Sequence, residues 1–154
     1  MGDHVEVVSV ERVIPASPEA IFDVIADPAR HPEIDGSGTV CDTRGTTERL
    51  ALGSKFGIAM KMGVPYSMIN TVVEFERPRV IAWRPNMTVP FGARLGGRIW
   101  RYELEPVEAG TRVRETWDIT AQPFLTRLVM RGAARQTKQA MEETLARIEK
   151  ILAP

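Results

Sequence analysis

The chain has 154 residues, of which 44% are apolar and 26% are charged, and these values are typical of one soluble domain of ordinary size. Twenty basic residues balance twenty acidic residues, so the net charge does not draw the protein to DNA, RNA or an anionic membrane. The only cysteine, Cys41, excludes a disulfide scaffold and a thiolate metal cluster within one chain.

The chain carries no recognisable targeting or membrane-spanning segment. Residues 1–6 lack the basic stretch and following apolar run of a signal peptide. No segment approaches the roughly 18 consecutive apolar residues that a transmembrane helix needs. Because no repeat or linker divides the sequence, we expect residues 1–154 to form a single domain in a cytoplasmic protein.

The N-terminal quarter of the chain predicts a strand followed by two short helical segments. Residues 5–14 are rich in β-branched side chains with an alternating pattern, which is typical of a strand. Ser17 is a suitable N-cap for a short helix, which Asp27-Pro28 ends. Residues 28–38 hold two prolines and two glycines, so they predict at most one further helical turn and then a loop.

Five strand-like runs in the middle of the chain predict an antiparallel meander, which together with the first strand makes a sheet of about six strands. Residues 85–97, with two prolines and three glycines, predict a loop or a bulged segment between these strands. Alternating or β-rich runs occupy residues 56–62, 66–76, 80–83, 99–104 and 112–119.

The C-terminal segment, residues 124–152, predicts one long amphipathic helix with Gly132 as its only internal weak point. We interpret its basic residues as the solvated face of that helix; they are Arg127, Arg131, Arg135 and Lys138. A strand, short helices, several strands and a long helix together predict an α+β domain with its helices on one face of the sheet.

Four stretches of sequence carry a resemblance to a known superfamily. They are IPASPEAIF at 14–22, ADPARHPEI at 26–34, VEFERPR at 73–79 with Trp83 after it, and WRYELEP at 100–106 leading to GTRV at 110–113. Their order and spacing resemble the helix-grip fold of the START-like or SRPBCC superfamily, above all its polyketide cyclase/dehydrase and lipid-transport branch. The resemblance implies a curved antiparallel sheet wrapped around the long C-terminal helix, two short helices after the first strand, and a hydrophobic cavity between sheet and helix.

Three functions remain open, because proteins that share this fold do not share one activity. The chain could bind a small hydrophobic molecule, such as a lipid, an isoprenoid or a polyketide-like compound, in that cavity. It could instead be a polyketide cyclase or dehydratase that uses acid–base residues in the same cavity. The third possibility is a protein-interaction module that uses the outer face of the sheet.

Several side chains are candidates to line the ligand cavity, although ordinary core packing is the alternative for them and strand parity is ambiguous from Tyr66 to Phe75. They are Phe56, Met60, Tyr66, Asn70, Trp83, Trp100, Tyr102, Glu115, Trp117, Met130, Thr137 and Met141. Glu115 shares its face with Val113 and Trp117, so we expect it to point inward, where it could hydrogen-bond a ligand or act as a general base. The alternative for this carboxylate is a salt bridge to Arg98 or Arg101 on the neighbouring strand.

His31 is the second catalytic candidate after Glu115. It could form a hydrogen-bonded pair with Asp35 at the mouth of the cavity, although a surface position near a helix end is the simpler interpretation. Neither His4 nor His31 has a helical partner four residues away or a nearby cysteine, so we expect no metal site.

No cofactor site is expected either. The glycines at 36 and 38 begin like a dinucleotide fingerprint, but Cys41 occupies the place of the third glycine, so a turn is the better interpretation. The resemblance implies a small hydrophobic ligand as the partner, and we expect no nucleic acid and no membrane span.

Overall fold

A computed structural model of the chain describes residues 6–36, 40–44, 49–62, 64–88, 94–96 and 98–153, with side chains for 6–36, 49–57, 69–85 and 98–153. In these residues the fold is α+β. The helices are α1 (Pro18–Ile25), α2 (His31–Ile34), α3 (Phe124–Arg131) and α4 (Ala134–Leu152), and a 3-10 turn spans Pro28–Arg30. The strands are β1 (Val7–Ile14), β2 (Val40–Arg44), β3 (Lys55–Met62), β4 (Val64–Glu76), β5 (Val80–Thr88), β6 (Arg94–Gly96), β7 (Ile99–Val107) and β8 (Gly110–Asp118).

The strands form one sheet in which every described pair is antiparallel, which confirms the predicted meander. Its order is β1-β8-β7-β5-β4-β3-β2, with β6 beside β5, so the first strand of the chain lies next to the last. A register shift between Val72 and Glu74 in β4 adds local twist, as a β-bulge does, and contributes to the curvature of the sheet.

The prediction for residues 85–97 was wrong in part. Strand β5 continues to Thr88, and residues 94–96 form the short strand β6 that pairs with it. Strand β2 was not predicted at all. Both missed strands are short, so neither presents enough alternating positions to be distinguished from a loop by pattern.

The N-terminal helices follow the prediction closely. The Ser17 hydroxyl accepts a hydrogen bond from the Ala20 backbone N–H at 3.2 Å, and this is the expected N-cap of α1. The helix ends at Ile25, directly before Asp27-Pro28. Its buried side chains face the core of the domain; they are Ile21, Phe22, Val24 and Ile25.

The C-terminal segment is not the single helix that was predicted, because it divides at Gly132. The Gly132 N–H donates to the Val129 carbonyl at 3.3 Å and the Ala133 N–H donates to the Met130 carbonyl at 2.9 Å, and these i to i+3 bonds tighten the turn between α3 and α4. Both residues keep right-handed backbone angles, so α4 starts without a loop. Glycine costs more in a helix interior than any residue except proline, which explains the position of the break.

Helix α4 completes the core over the inner face of the sheet. Met141, Leu145 and Ile148 recur at four and three residues and are all fully buried. They join one hydrophobic cluster with buried residues of α1, α2 and the strands. The long C-terminal helix of the helix-grip fold is therefore α4 alone.

The segment after α2 is fixed to α4 by polar contacts. The Gly36 N–H donates to the Thr144 hydroxyl at 2.9 Å, and the Arg147 guanidinium donates to the Asp35 carbonyl at 2.8 Å. A Cβ at Gly36 would lie 2.1 Å from the Ala140 carbonyl oxygen, so only glycine allows this close approach. The contact holds α2 over the sheet.

Candidate functional site

The inner face of the sheet is built by strict alternation along β8. Val113, Glu115 and Trp117 are buried, while Arg112 before them and Arg114 between them are exposed. Glu115 therefore points into the core, as its parity with Val113 and Trp117 predicts.

A row of aromatic rings crosses this inner face. Phe56 on β3, Trp83 on β5 and Tyr102 on β7 are all buried. The Phe56 and Trp83 ring centroids are 5.6 Å apart, and those of Trp83 and Tyr102 are 5.5 Å apart. The rings are in contact at the distances usual for aromatic pairs, so they form a continuous apolar surface beneath the helices.

His31 lies on top of this aromatic row. Its imidazole stacks on Trp83 with centroids 5.3 Å apart and an interplanar angle of 26°, and it meets the Phe56 ring edge-on at 5.3 Å. Its Nε2 lies 2.8 Å from the Ile25 carbonyl oxygen, so this nitrogen carries a proton and donates it. Burial lowers the pKa of His31, although the Ile25 bond and the charges of Asp27 and Asp35 act against that shift.

The interpretation of His31 as a surface residue was wrong. Helix α2 folds back against the sheet, and Pro28, His31 and Ile34 are buried at a spacing of three residues. This i, i+3 pattern across the proline-rich segment is the sequence signal that identifies His31 as a core residue.

Glu115 lies at the Tyr102 end of the row. The Tyr102 hydroxyl donates to Glu115 Oε1 at 2.8 Å. Burial raises the pKa of Glu115 to about 8, against the Tyr102 hydrogen bond, which lowers it, and together with the nearby charge of Asp35, which raises it. At neutral pH the group is therefore mainly a carboxylic acid, able to donate a hydrogen bond.

The second oxygen of Glu115, Oε2, is buried and has no hydrogen-bond partner in the described part of the chain. Arg101, which the sequence offered as a salt-bridge partner, pairs instead with Glu74 and Glu103. An unsatisfied buried polar atom costs about 1–3 kcal/mol, so a partner for this oxygen would stabilise the protein.

Asn70 provides a second unpartnered group near Phe56, on strand β4 between the strands that carry Phe56 and Trp83. It is buried on β4, directly across from Phe56 in the strand register. Its side-chain Nδ2, a hydrogen-bond donor, also has no partner among the described residues. Two donors therefore lie along one aromatic surface, Glu115 beside Tyr102 and Asn70 beside Phe56.

The remaining residues that were predicted to line the cavity differ in how far they are buried. Trp117 and Met141 are fully buried, Trp100 and Met130 pack partly buried against the core, and Thr137 is half-buried on α4. The side chains of Met60 and Tyr66 lie outside the described residues, so the structure does not position them.

The described part of the chain offers neither a metal-binding cluster nor a membrane-spanning helix. No group of three His, Cys, Asp or Glu side chains there could hold a metal ion. Among the described helices, none is long and apolar enough to cross a membrane.

Two curated relatives match the chain, and both are uncharacterized proteins of Mycobacterium tuberculosis strains. Each is 38% identical over 146 residues, covering 91% of this chain and 60% of the relative. The chain thus spans about 60% of the length of the curated relatives it matches.

Solved structures share the fold at low sequence identity. A protein from Arthrobacter aurescens superposes with a TM-score of 0.72 at 17% identity, covering 99% of this chain and 90% of that chain. A protein from Chromobacterium violaceum gives a TM-score of 0.70 at 13% identity, covering 97% of this chain and 98% of that chain. A third, from Silicibacter pomeroyi, gives a TM-score of 0.68 at 15% identity, with 96% and 97% covered. These likenesses confirm the helix-grip architecture.

The family follows from a match over almost the whole chain. Residues 6–153 match the family described as polyketide cyclase / dehydrase and lipid transport. This range includes every described helix and strand. The chain therefore belongs to the polyketide cyclase/dehydrase and lipid transport family of the SRPBCC superfamily.

Proposed function

We propose that this chain binds a small, neutral hydrophobic molecule between the inner face of the sheet and α4, with hydrogen-bond acceptor oxygens that meet Glu115 and Asn70. The observation that carries the proposal is the pair of buried, unpartnered donors along the aromatic row, one beside Tyr102 and one beside Phe56. Family membership supports a hydrophobic ligand in general.

The chemistry of the row favours a ligand with a flat or extended carbon skeleton. The rings of Phe56, Trp83 and Tyr102 offer apolar contact, and the hydrophobic effect contributes about 25 cal/mol per Å² of apolar area buried, before the cost of association. Polyketide-like and isoprenoid compounds with carbonyl groups combine such a skeleton with acceptor oxygens.

The charges near the row disfavour an anionic ligand. Glu115 is uncharged in its protonated form, and the nearby negative charge of Asp35 favours that form by raising the pKa of Glu115. A fatty-acid carboxylate at this end of the row would add a second negative charge to an apolar environment. A carbonyl or ether oxygen avoids that cost and accepts a hydrogen bond from the protonated Glu115.

An acid–base enzyme is the second candidate, and one observation favours it. A carboxylic acid with a pKa of about 8 and an unpartnered oxygen has the properties of a general acid at neutral pH. In that case Glu115 would protonate a carbonyl oxygen of a polyketide-type substrate rather than only bind it.

The outer sheet face offers no comparable support for a protein-interaction module. In the described strands it carries ion pairs, including Arg101–Glu74, Arg112–Glu105 and Arg114–Glu11. Among its described side chains, the exposed Val7, Val13 and Ile69 lie apart from one another and do not form the apolar patch that marks many binding surfaces.

The experiment is a titration of neutral aromatic and isoprenoid compounds that carry two carbonyl oxygens, compared with hydrocarbons of the same shape. The protein has three tryptophans, so intrinsic emission reports binding near Trp83, and the melting temperature reports linkage. A ligand at a hundredfold excess over its dissociation constant adds about 2.7 kcal/mol to the stability of the folded state.

Three variants make the test specific. Asn70→Leu and Glu115→Leu each remove a hydrogen-bond donor and fill the space with an apolar group. Each should weaken the binding of the dicarbonyl compound about tenfold or more, without weakening the binding of the hydrocarbon. Glu105→Leu, a change of the same kind at an exposed position on β7, should leave binding unchanged.

The outcomes separate the candidates. Saturable binding without conversion of the compound supports the carrier. Conversion that Glu115→Gln abolishes while binding persists supports the enzyme. If no compound changes either signal, or if Glu105→Leu weakens binding as much as Glu115→Leu, the proposed site is wrong.

A further inference from the structure

Helix α3 presents its apolar side to solvent. None of its eight residues, all of which the structure describes, is buried. The exposed fractions of its large apolar side chains are 59% for Phe124, 75% for Leu125, 45% for Leu128 and 79% for Val129.

These four side chains form one continuous face. Positions i, i+1, i+4 and i+5 of an α-helix, with 3.6 residues per turn, lie within an arc of about 140°. A helix on the surface of a soluble protein normally places such a face against the core. Large exposed apolar patches mark binding surfaces, so this face calls for a partner.

The basic side of α3 points toward the protein instead. Arg127 and Arg131 both form ion pairs with Glu6, just before β1, and Met130 packs against the core. The interpretation of these two arginines as part of a solvated face was therefore wrong, because the apolar residues between them occupy the solvent side.

The segment that carries this face holds only basic charges, although Glu6 from outside the segment pairs with Arg127 and Arg131. Residues 119–141 contain no aspartate or glutamate, although the chain as a whole is balanced. Arg135 and Lys138 are exposed on the first turns of α4. Together with Arg131 they line a groove between β1 and the start of α4, which also includes Val7 and Ser9.

We propose that α3 docks this protein on the surface of an anionic lipid bilayer. The apolar arc enters the boundary between headgroups and acyl chains, and Arg135 and Lys138 contact the lipid phosphates. Charge complementarity selects this occupant, because an acid-free segment with exposed cations beside large apolar side chains matches an anionic membrane surface. The proposal goes beyond ligand binding and rests on a different part of the molecule from Glu115 and Asn70.

The architecture suits reversible attachment. Since α3 contributes no buried side chain, its apolar face is available without unfolding any part of the core. It leads through Gly132 directly into α4, which packs in the same hydrophobic cluster as the candidate ligand site. A protein docked by α3 would therefore hold that site close to the bilayer.

The test is sedimentation of the protein with vesicles of phosphatidylcholine containing about 30 mol% phosphatidylglycerol, and with vesicles of phosphatidylcholine alone. The wild-type protein should partition onto the anionic vesicles, and less so in about 0.5 M salt, because salt screens the attraction. The combined changes Leu125→Ser and Val129→Ser should reduce partitioning about tenfold or more, since both side chains lose their apolar contact.

Two further variants complete the design. Leu52→Ser is the matched control, because Leu52 is 66% exposed but lies in a turn before β3, outside α3 and the groove. It should leave partitioning unchanged. The pair Arg135→Ser and Lys138→Ser should remove the preference for anionic vesicles. All these positions are exposed, so melting temperatures should be unchanged and folding defects would be evident.

The proposal fails if the wild-type protein does not partition onto anionic vesicles, or if the α3 variants partition like the control. It also fails if vesicle binding is absent and the wild-type protein is a dimer in solution that Leu125→Ser and Val129→Ser dissociate. That result would assign the face to a second copy of the chain. None of these outcomes depends on a ligand bound at Glu115.

Discussion

Glu115 is buried at the end of the aromatic row, and its protonation links the pH to both stability and binding. Its pKa in the folded protein is about 8, above the ordinary value of 4.5, and burial is the main cause. A pKa raised on folding means that the folded state holds the proton more tightly than the unfolded chain does. The stability associated with this proton is fully present below pH 4.5 and is lost as the pH rises through about 8.

The first prediction follows from this loss of stability with rising pH. Glu115→Gln keeps a neutral group that can accept the Tyr102 hydrogen bond, but it cannot ionise. From pH 6.5 to 9 the free energy of unfolding of the wild-type protein should fall relative to the variant, by an amount on the order of 2 kcal/mol. Urea unfolding of both proteins at several pH values measures the difference.

The pH range of this experiment is chosen to exclude His31. Burial lowers the pKa of His31, so its effect on stability appears as the pH falls below the ordinary value of 6.5. Above pH 6.5, Glu115 is the described buried group that we expect to control how the free energy of unfolding changes with pH. Parallel stability curves for wild type and Glu115→Gln would contradict the assigned protonation.

The same residue shows what strand parity can and cannot predict. The positions of Val113 and Trp117 correctly place Glu115 on the inner face, because alternation in a strand is a local property. Its bond to Tyr102 and the isolation of Oε2 depend on β7 and on the helices above, which no local pattern contains. For the same reason, the stacking of His31 on Trp83 was not predicted.

Among the structural elements, two glycines of the helical layer differ in whether a side chain would fit at their positions. Gly36 lies against the backbone of α4, and a Cβ there would collide with the Ala140 carbonyl oxygen. Gly132 sits in the turn between α3 and α4, where the nearest such contact is an ordinary 3.5 Å from the Val129 carbonyl oxygen.

The second prediction compares alanine at these two positions. Gly36→Ala should destabilise the protein by about 1–3 kcal/mol or more, because backbone must shift to relieve the overlap. Gly132→Ala should stabilise it by about 0.5–1 kcal/mol, because the backbone at Gly132 is already helical and alanine has the higher helix propensity. Thermal and urea unfolding of the two variants measure both changes.

Opposite signs for these two substitutions would support the packing of α2 against α4. Equal and small effects would show that the segment after α2 does not approach α4 closely in solution. The sequence identified Gly132 as the weak point of the helical region, but nothing in the pattern around Gly36 distinguishes a packing contact from a turn.

Short elements explain most of what the sequence did not predict about the fold. Strands β2 and β6 have five and three residues, too few to show a period, and they form only by pairing with β3 and β5. The longer elements were predictable because each repeats its own pattern several times. The division of the C-terminal region followed from one glycine whose cost the rest of the helix did not overcome.

At the scale of the whole molecule, stability should not depend on a metal ion. The described residues offer no group of three potential ligands, and the hydrophobic cluster connects the sheet to all of the helices that contribute buried side chains. The third prediction is that treatment with a chelator leaves the melting temperature unchanged. A loss of several degrees would reveal a metal site that couples to folding.

The two proposals give separate roles to two faces of the helical layer. The inner face of α4 packs into the hydrophobic cluster that contains the aromatic row, and the outer face of α3 carries the apolar arc. A ligand site and a membrane-docking surface on adjacent helices would together support exchange of a hydrophobic molecule with a bilayer. Each of the two proposals has its own test, so either can fail alone.

The central claim is that Glu115 and Asn70 hold the two polar ends of a neutral ligand lying on the aromatic row. A structure of the complex with the tightest-binding dicarbonyl compound measures this directly. We predict ligand oxygens within about 2.7–3.2 Å of Glu115 Oε2 and of Asn70 Nδ2, with the carbon skeleton against Trp83. A ligand bound elsewhere, or one whose oxygens leave both donors unpartnered, would contradict the account.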